Sequence, residues 1–275
     1  MLKKELKILA DEKRQKGVNT AIILNYLKEY IQYLVLSLIY NHKDYKNLIF
    51  TGGSCLRICY GLPRLSEDLD FDLSPKTDKK RFLNNLNSYL SKEIRGKYFP
   101  ELETKIQSTI RLYLKFPMLR ELGVSNQSES DKLYVKIEPG GKKDQDAGLA
   151  ITPVSKYGYN FIARHYDLPT LMSGKINALL NRLWLKGKND EIDIKGRDFY
   201  DLYWYLQNKI EPNWKLLKKK TGISNKKQLK NALKNKVIKS VTAKKLIYDL
   251  QNFIEGEQFV TDFAKNYINI INKLI

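Results

Sequence analysis

Cysteine and histidine are scarce, with two of each in 275 residues. Cys55 and Cys59 stand four apart in a predicted helix, while His42 and His165 are isolated from each other and from the cysteines along the chain. That pattern excludes a disulfide framework and offers no zinc-ligand spacing and no Ser-His-Asp arrangement. Both cysteines are expected as small buried helical residues. Long apolar runs are also lacking. The most apolar stretch, Tyr30 to Tyr40, falls short of the ~20 residues a membrane span needs. The opening MLKKELKILADEKRQKG is charged throughout and lacks the apolar core of a signal peptide. The expectation is a cytoplasmic protein with no membrane partner. Acidic residues are outnumbered, 30 against 49 basic ones, for a formal charge of +19. So basic a surface attracts polyanions, nucleic acid ahead of anionic lipid. Apolar residues at 43% and aromatics at 11% are ample for a core, which excludes a disordered chain.

The pattern along the chain is α+β. Helices are expected over 2–16 and 19–41, the second capped by Asn19 or Thr20. A short strand, NLIFTGGS, runs into a helix, and LDFDL follows as a strand with alternating carboxylates. Residues 77–97 look helical. From 101 to 166 strands dominate, with ETKIQ, TIRLYLKF, KLYVKIEP and YNFIARHY as candidates and GGKKDQDAG as an exposed turn. Beyond Leu168 every signal is helical. The expected domains are therefore 1–168, a mixed sheet flanked by helices, and 169–275, a helical unit whose Lys-rich stretch forms amphipathic helices.

Residues 50–73, FTGGSCLRICYGLPRLSEDLDFDL, carry the chemistry. A Gly52-Gly53-Ser54 turn opening a helix lets backbone N–H groups approach a phosphate, and the helix dipole favours the anion. Ser54 can add its hydroxyl. Asp68 and Asp70, two apart in a strand, share a face and lie about 6.5–7 Å apart. They can converge on one or two divalent cations, for which hard oxygen donors suit Mg²⁺. Leu69 and Phe71 point the other way, into a core. A third carboxylate is expected, and Glu138 is the candidate, at the end of KLYVKIEP with Lys136 on its face and Ile137 turned inward. Taken singly, a tight turn or a solvated strand face would explain either feature. Their coupling favours a site.

These residues resemble the DNA polymerase β-type nucleotidyltransferase superfamily, and more closely its AbiEii-type toxins. The toxin pattern GGT/S-x-L-R-x-x-Y-G is matched by Gly52, Gly53, Ser54, Leu56, Arg57, Tyr60 and Gly61. The following R-x-S-x-D-L-D-F is matched by Arg64, Ser66, Asp68, Leu69, Asp70 and Phe71. A helical lysine and a later K-G-R-D-x-Y-D-L segment are matched by Lys175 and by residues 195–202.

The resemblance implies a metal-dependent nucleotidyltransferase using Mg²⁺ or Mn²⁺ and an NTP. Asp68, Asp70 and Glu138 would hold metal. Gly52, Gly53, Ser54, Arg57, Arg64, Ser66 and Lys175 would bind nucleotide, and Lys175 and Asp198 would complete catalysis beside Asp68 and Asp70. It also implies a toxin of a toxin–antitoxin or phage-defence system with a cognate antitoxin. Charge and resemblance together point to RNA, the 3′ end of tRNA first, as acceptor. A small-molecule or protein nucleotidyltransferase and a non-catalytic nucleic-acid-binding module are the alternatives. On residue grounds plain helix capping competes as a role for Asp198. Lys175 projects from a helix expected to bury Ile176, Leu179, Leu180 and Leu183, and Asp201 is expected to pair with Arg197 four residues back.

Overall fold

A computed structural model describes residues 2–182, 184–186 and 191–275. Leu183, expected to pack inward, lies outside them. The chain divides into two compact units. One comprises the chain up to Lys143 with Leu149–His165; the other comprises Asp144–Gly148 with Tyr166–Ile275.

The first unit begins with α1 (Leu2–Gln15) and α2 (Thr20–Tyr40). Asn19 caps α2 by accepting from the Ile22 N–H at 3.0 Å. α2 is long and apolar enough to cross a membrane by length and composition, contrary to the shorter stretch read from the sequence. Of its most apolar window 78% is buried, which makes it a core helix. Then follow β1 (Ile49–Thr51), α3 (Gly52–Tyr60), β2 (Asp68–Leu73), α4 (Lys79–Lys97), β3 (Glu103–Gln107), β4 (Arg111–Pro117), β5 (Lys132–Lys142), β6 (Leu149–Lys156) and β7 (Tyr159–Tyr166). These strands form one mixed seven-stranded sheet in the order β3-β4-β5-β2-β1-β7-β6. The class is α+β, as expected. β6 and the extension of β5 through Gly140–Lys142 replace parts of what the sequence suggested was loop.

β2 lies near the middle, antiparallel to β1 and parallel to β5. Its alternation sorts the side chains cleanly. Leu69 and Phe71 are fully buried, with Phe71 against Phe50 and the α2 residue Tyr40. Asp68, Asp70 and Asp72 take the opposite face and stay half-buried. The parallel pairing of β1 with β7 puts Phe50 beside His165. His165 thereby meets Cys55 and Cys59 of α3, which corrects the expectation that it stood apart from them. His42 packs at a tilt against the rings of Tyr45 and Tyr89.

The second unit is helical: α5 (Leu168–Asn181), α6 (Gly196–Gln207), α7 (Trp214–Thr221), α8 (Lys226–Ser240), α9 (Ala243–Leu250) and α10 (Glu257–Leu274). Asp167 caps α5 through the Thr170 N–H at 2.9 Å. Residues 144–148, expected as a free turn, are stitched into this unit. Thr170 Oγ1 accepts from the Gly148 N–H at 2.9 Å, and Asn213 Nδ2 donates to the Asp146 carbonyl at 2.8 Å.

Candidate active site

Strand register builds the first cluster. Asp70 pairs with Glu138 of β5 on one side and Thr51 of β1 on the other, and Asp68 pairs with Lys136. One sheet face therefore holds Asp68, Asp70, Lys136 and Glu138 together. Lys136 Nζ lies 2.9 Å from Asp68 Oδ2 and 3.0 Å from Glu138 Oε1. Arg111 Nε, from β4, lies 2.6 Å from the same Glu138 oxygen. That oxygen is buried yet has no aligned hydrogen-bond donor. Burial raises the Asp68 carboxyl above the ordinary range; Lys136 opposes the shift and the neighbouring Glu67 and Glu138 add to it. Burial alone would lower the Lys136 ammonium, but Asp68 and Glu138 outweigh it and hold it high. Asp72, further along the same face, accepts from the Gly141 N–H at 2.9 Å.

The Gly-Gly turn serves this cluster in a way the sequence did not suggest. Gly52 adopts φ +78°, and a Cβ there would run into the Asp70 carboxylate. Asp70 thus lies over the N-terminus of α3, where the helix dipole favours a negative charge. A Cβ on Gly53 would come within 2.8 Å of both the Arg64 guanidinium and Ser66 Oγ. The missing side chains make room for protein groups as well as for any phosphate.

The expected nucleotide-binding side chains are tied down. Ser54 is fully buried, and its hydroxyl donates to the Asp68 carbonyl, joining α3 to β2. Arg57 Nε donates to Glu29 of α2 at 2.7 Å, and Nη1 to the Pro63 carbonyl at 2.8 Å. Arg64 is buried, with Nη1 on the Leu65 carbonyl at 2.9 Å. Ser66 is buried too, its carbonyl accepting from Gln32 Nε2 at 3.1 Å. The motif loop 62–67 is thus fixed on α2, and these side chains position the loop.

The second cluster belongs to the helical unit. Lys175 Nζ, on α5, lies 2.7 Å from Asp198 Oδ1 and 2.7 Å from Asp201 Oδ2, both on α6. Arg182 Nη1 reaches Asp198 Oδ2 at 3.0 Å. Both carboxylates are buried. Burial works against the Asp198 charge, but Lys175, Lys195 and Arg182 overcome it and hold its pKa at about 2. Asp201 pairs with Lys175. Arg197 meets Asp249 on α9, its backbone N–H donating at 2.8 Å, and lays its guanidinium on Phe253. Gly196 has the α9 backbone against it, so a Cβ would lie 3.1 Å from the Leu246 carbonyl. Tyr200 packs on Phe263 of α10, and Tyr267 donates to the Phe199 carbonyl at 2.8 Å. Ile176 and Leu179 are buried as expected.

A family profile described as nucleotidyl transferase AbiEii toxin, type IV toxin–antitoxin system, matches residues 35–268. The chain belongs to this family. It is therefore a nucleotidyltransferase of the AbiEii toxin class. Its fold is similar to that of MenT4, a nucleotidyltransferase toxin from Mycobacterium tuberculosis H37Rv, with TM-score 0.54 and 12% identity over 97% of this chain and 89% of that one. JHP933 from Helicobacter pylori matches at TM-score 0.44 and 16% identity, over 91% and 93% of the two chains. Among curated protein sequences nothing matches.

The carboxylate face fits the divalent ion that nucleotidyltransferases use. Asp68, Asp70 and Glu138 offer hard oxygen donors, the Glu138 oxygen lacks an aligned donor, and the Lys136 ammonium already bridges two of the three carboxylates as a cation. Sequence reasoning missed Arg111 and Glu29. Glu29 had a signal: a lone carboxylate inside an apolar helix needs a buried partner. Arg111 had none, because its place depends on the β4–β5 register.

Proposed function

We propose that this AbiEii-family enzyme moves a nucleoside monophosphate from an NTP to an RNA 3′ end, tRNA foremost, with Mg²⁺ or Mn²⁺ held by Asp68, Asp70 and Glu138. The observation that carries the reading is the register placing Asp70 between Glu138 and Thr51 with its carboxylate over Gly52. A bound divalent ion would acidify the acceptor hydroxyl and offset charge on the α-phosphate. The protein's part is to keep these carboxylates converged and only half-exposed, where electrostatic effects are stronger than in open water. Ser54 holds the Gly-Gly turn against β2, and Arg57, Arg64 and Ser66 fix the loop that follows it, so that the turn's backbone N–H groups can cradle phosphate. Lys175 and Asp198 enter the catalytic reading through the family motif alone. Lys136 and Arg111 neutralise the carboxylates until substrate and ion arrive.

The acceptor is argued from charge. Between Lys209 and Lys245 stand thirteen lysines and one carboxylate, Glu211. Lys218, Lys219 and Lys220 end α7 and Lys226, Lys227 and Lys230 open α8, all exposed around the left-handed cap Gly222. Such a surface binds a phosphate backbone by releasing counterions. NTP and RNA substrates place the enzyme in the cytoplasm, with a cognate antitoxin restraining it.

Incubation with α-labelled NTPs, total RNA and Mg²⁺ or Mn²⁺ tests the proposal. Label should enter the tRNA-sized fraction, fall away with salt, and vanish for Asp70→Asn. Label in protein or a small molecule instead would overturn the RNA acceptor.

A further inference from the structure

Behind the Gly-Gly turn the first unit gathers three groups that the transfer reaction does not use. One ligand atom from each of Cys55, Cys59 and His165 lies within 4.8 Å of the others. Cys55 and Cys59 sit one turn apart on α3, so both project from one helix face. His165 comes from β7, placed there by its pairing with β1. Cys55 and His165 are fully buried, while Cys59 is partly open. Thr152 Oγ1 lies 2.8 Å from His165 Nε2, and the Tyr60 ring stands edge-on at 5.0 Å, so the imidazole is held in orientation.

Two sulfurs and an imidazole make a donor set unlike the oxygen cluster on the sheet face. Soft and borderline ions prefer it; Mg²⁺ does not. Thiolates around tetrahedral zinc, at Zn–S of about 2.3 Å, are about 3.8 Å apart. The three donor atoms already lie within 4.8 Å of one another, so the set is close to that spacing. We propose that Cys55, Cys59 and His165 form a three-ligand site for a thiophilic divalent ion, zinc foremost, with the fourth position open on the Cys59 side. Binding takes both sulfurs as thiolates and releases the thiol protons that remain on them. The Thr152 hydroxyl would orient the imidazole, as hydrogen-bond partners of metal-bound histidines do. Cys55 lies three residues after Gly52 on α3, so an ion here would tie the helix beneath Asp70 to β7.

Cobalt(II) titrated into the reduced full-length protein tests the site, since sulfur-to-cobalt charge-transfer absorption reports cysteine ligation alone. The expected result is a band that saturates at one ion per chain and is displaced by zinc. Asp70→Asn should retain it, which separates this site from the carboxylate face and leaves it independent of the transfer reading. Cys59→Ser should lose it, and Thr152→Val should weaken binding by roughly 10-fold or more. As a check that needs no variant, bound zinc should slow alkylation of wild-type Cys59 at least tenfold. Absence of the band in wild type, its survival in folded Cys59→Ser, or equal alkylation with and without zinc would overturn the proposal.

Discussion

Two clusters of carboxylate and ammonium, one on the sheet and one among the helices, are built from the same residue types and behave oppositely. On the sheet, Asp68, Asp70 and Glu138 face Lys136 and Arg111, and the side chains of Asp68 and Glu138 are 31% and 24% exposed. Acid exceeds base there, the Glu138 oxygen lacks an aligned donor, and burial makes the Asp68 charge costly. Among the helices, Lys175 sits between Asp198 and Asp201, whose side chains are 5% and 0% exposed. There the charges are enclosed and the Asp198 carboxyl is held low. The first arrangement can exchange a protein cation for a metal ion. The second locks α5 to α6, and opening it would strand buried charge. Perturbation by neighbours marks both clusters; they differ in exposure and in the direction of the shift.

The largest effect should come from breaking the strut. Asp201→Ala leaves Lys175 short of a buried partner, a loss of about 3–5 kcal/mol for such pairs. Denaturant unfolding measures it, and Lys175→Ala should fall in the same range. A loss under ~1 kcal/mol would show the cluster to be solvated and interchangeable with the sheet face.

Acid should weaken the strut next. The Asp198 pKa lies below its unfolded value, so its stabilisation is complete above the ordinary 3.8 and is lost as pH falls toward about 2. The linked contribution is about 2 kcal/mol. Unfolding of wild type and Asp198→Asn across pH 2–5 checks the sign: the difference between them should shrink as pH falls. A constant difference would contradict the shift.

On the sheet the effects on stability should be smaller and those on binding larger. Lys136→Met removes the bridging ammonium and leaves Asp68 and Glu138 repelling, costing on the order of 1 kcal/mol. The same change should tighten Mn²⁺ binding, read by isothermal titration, because the ion no longer competes with the lysine. Weaker binding would make Lys136 a helper and not a placeholder. Smallest of all, Asp68→Asn should leave the melting temperature unchanged or slightly higher, since the native carboxylate is costly to ionise.

How much of this could be seen beforehand depended on range. The strand alternation of 68–73, the Gly-Gly turn and the cap Asn19 are local, and the structure places them where the pattern put them. β6 was hidden because LAITPVSK is largely half-buried or exposed and carries Pro153, which weakens a strand signal. Lys175 projecting from an inward-packed helix suggested a free ammonium; only the α5–α6 packing reveals its two acceptors. The motif arginines suggested phosphate contacts, yet Arg57 is spent on Glu29, twenty-eight residues earlier. The meeting of His165 with Cys55 and Cys59 rests on a parallel pairing across more than a hundred residues, which no spacing rule anticipates.

The central claim of the proposed function is that the half-open carboxylate face of Asp68, Asp70 and Glu138 carries nucleotidyl transfer. Asp70→Asn measured side by side for label transfer and for thermal unfolding tests it most directly. The account predicts a loss of transfer of at least ~100-fold, the scale of losing one electrostatic group at a reacting centre, with the melting temperature nearly unmoved. Near-wild-type transfer, or a fall in activity matched by unfolding, would contradict it.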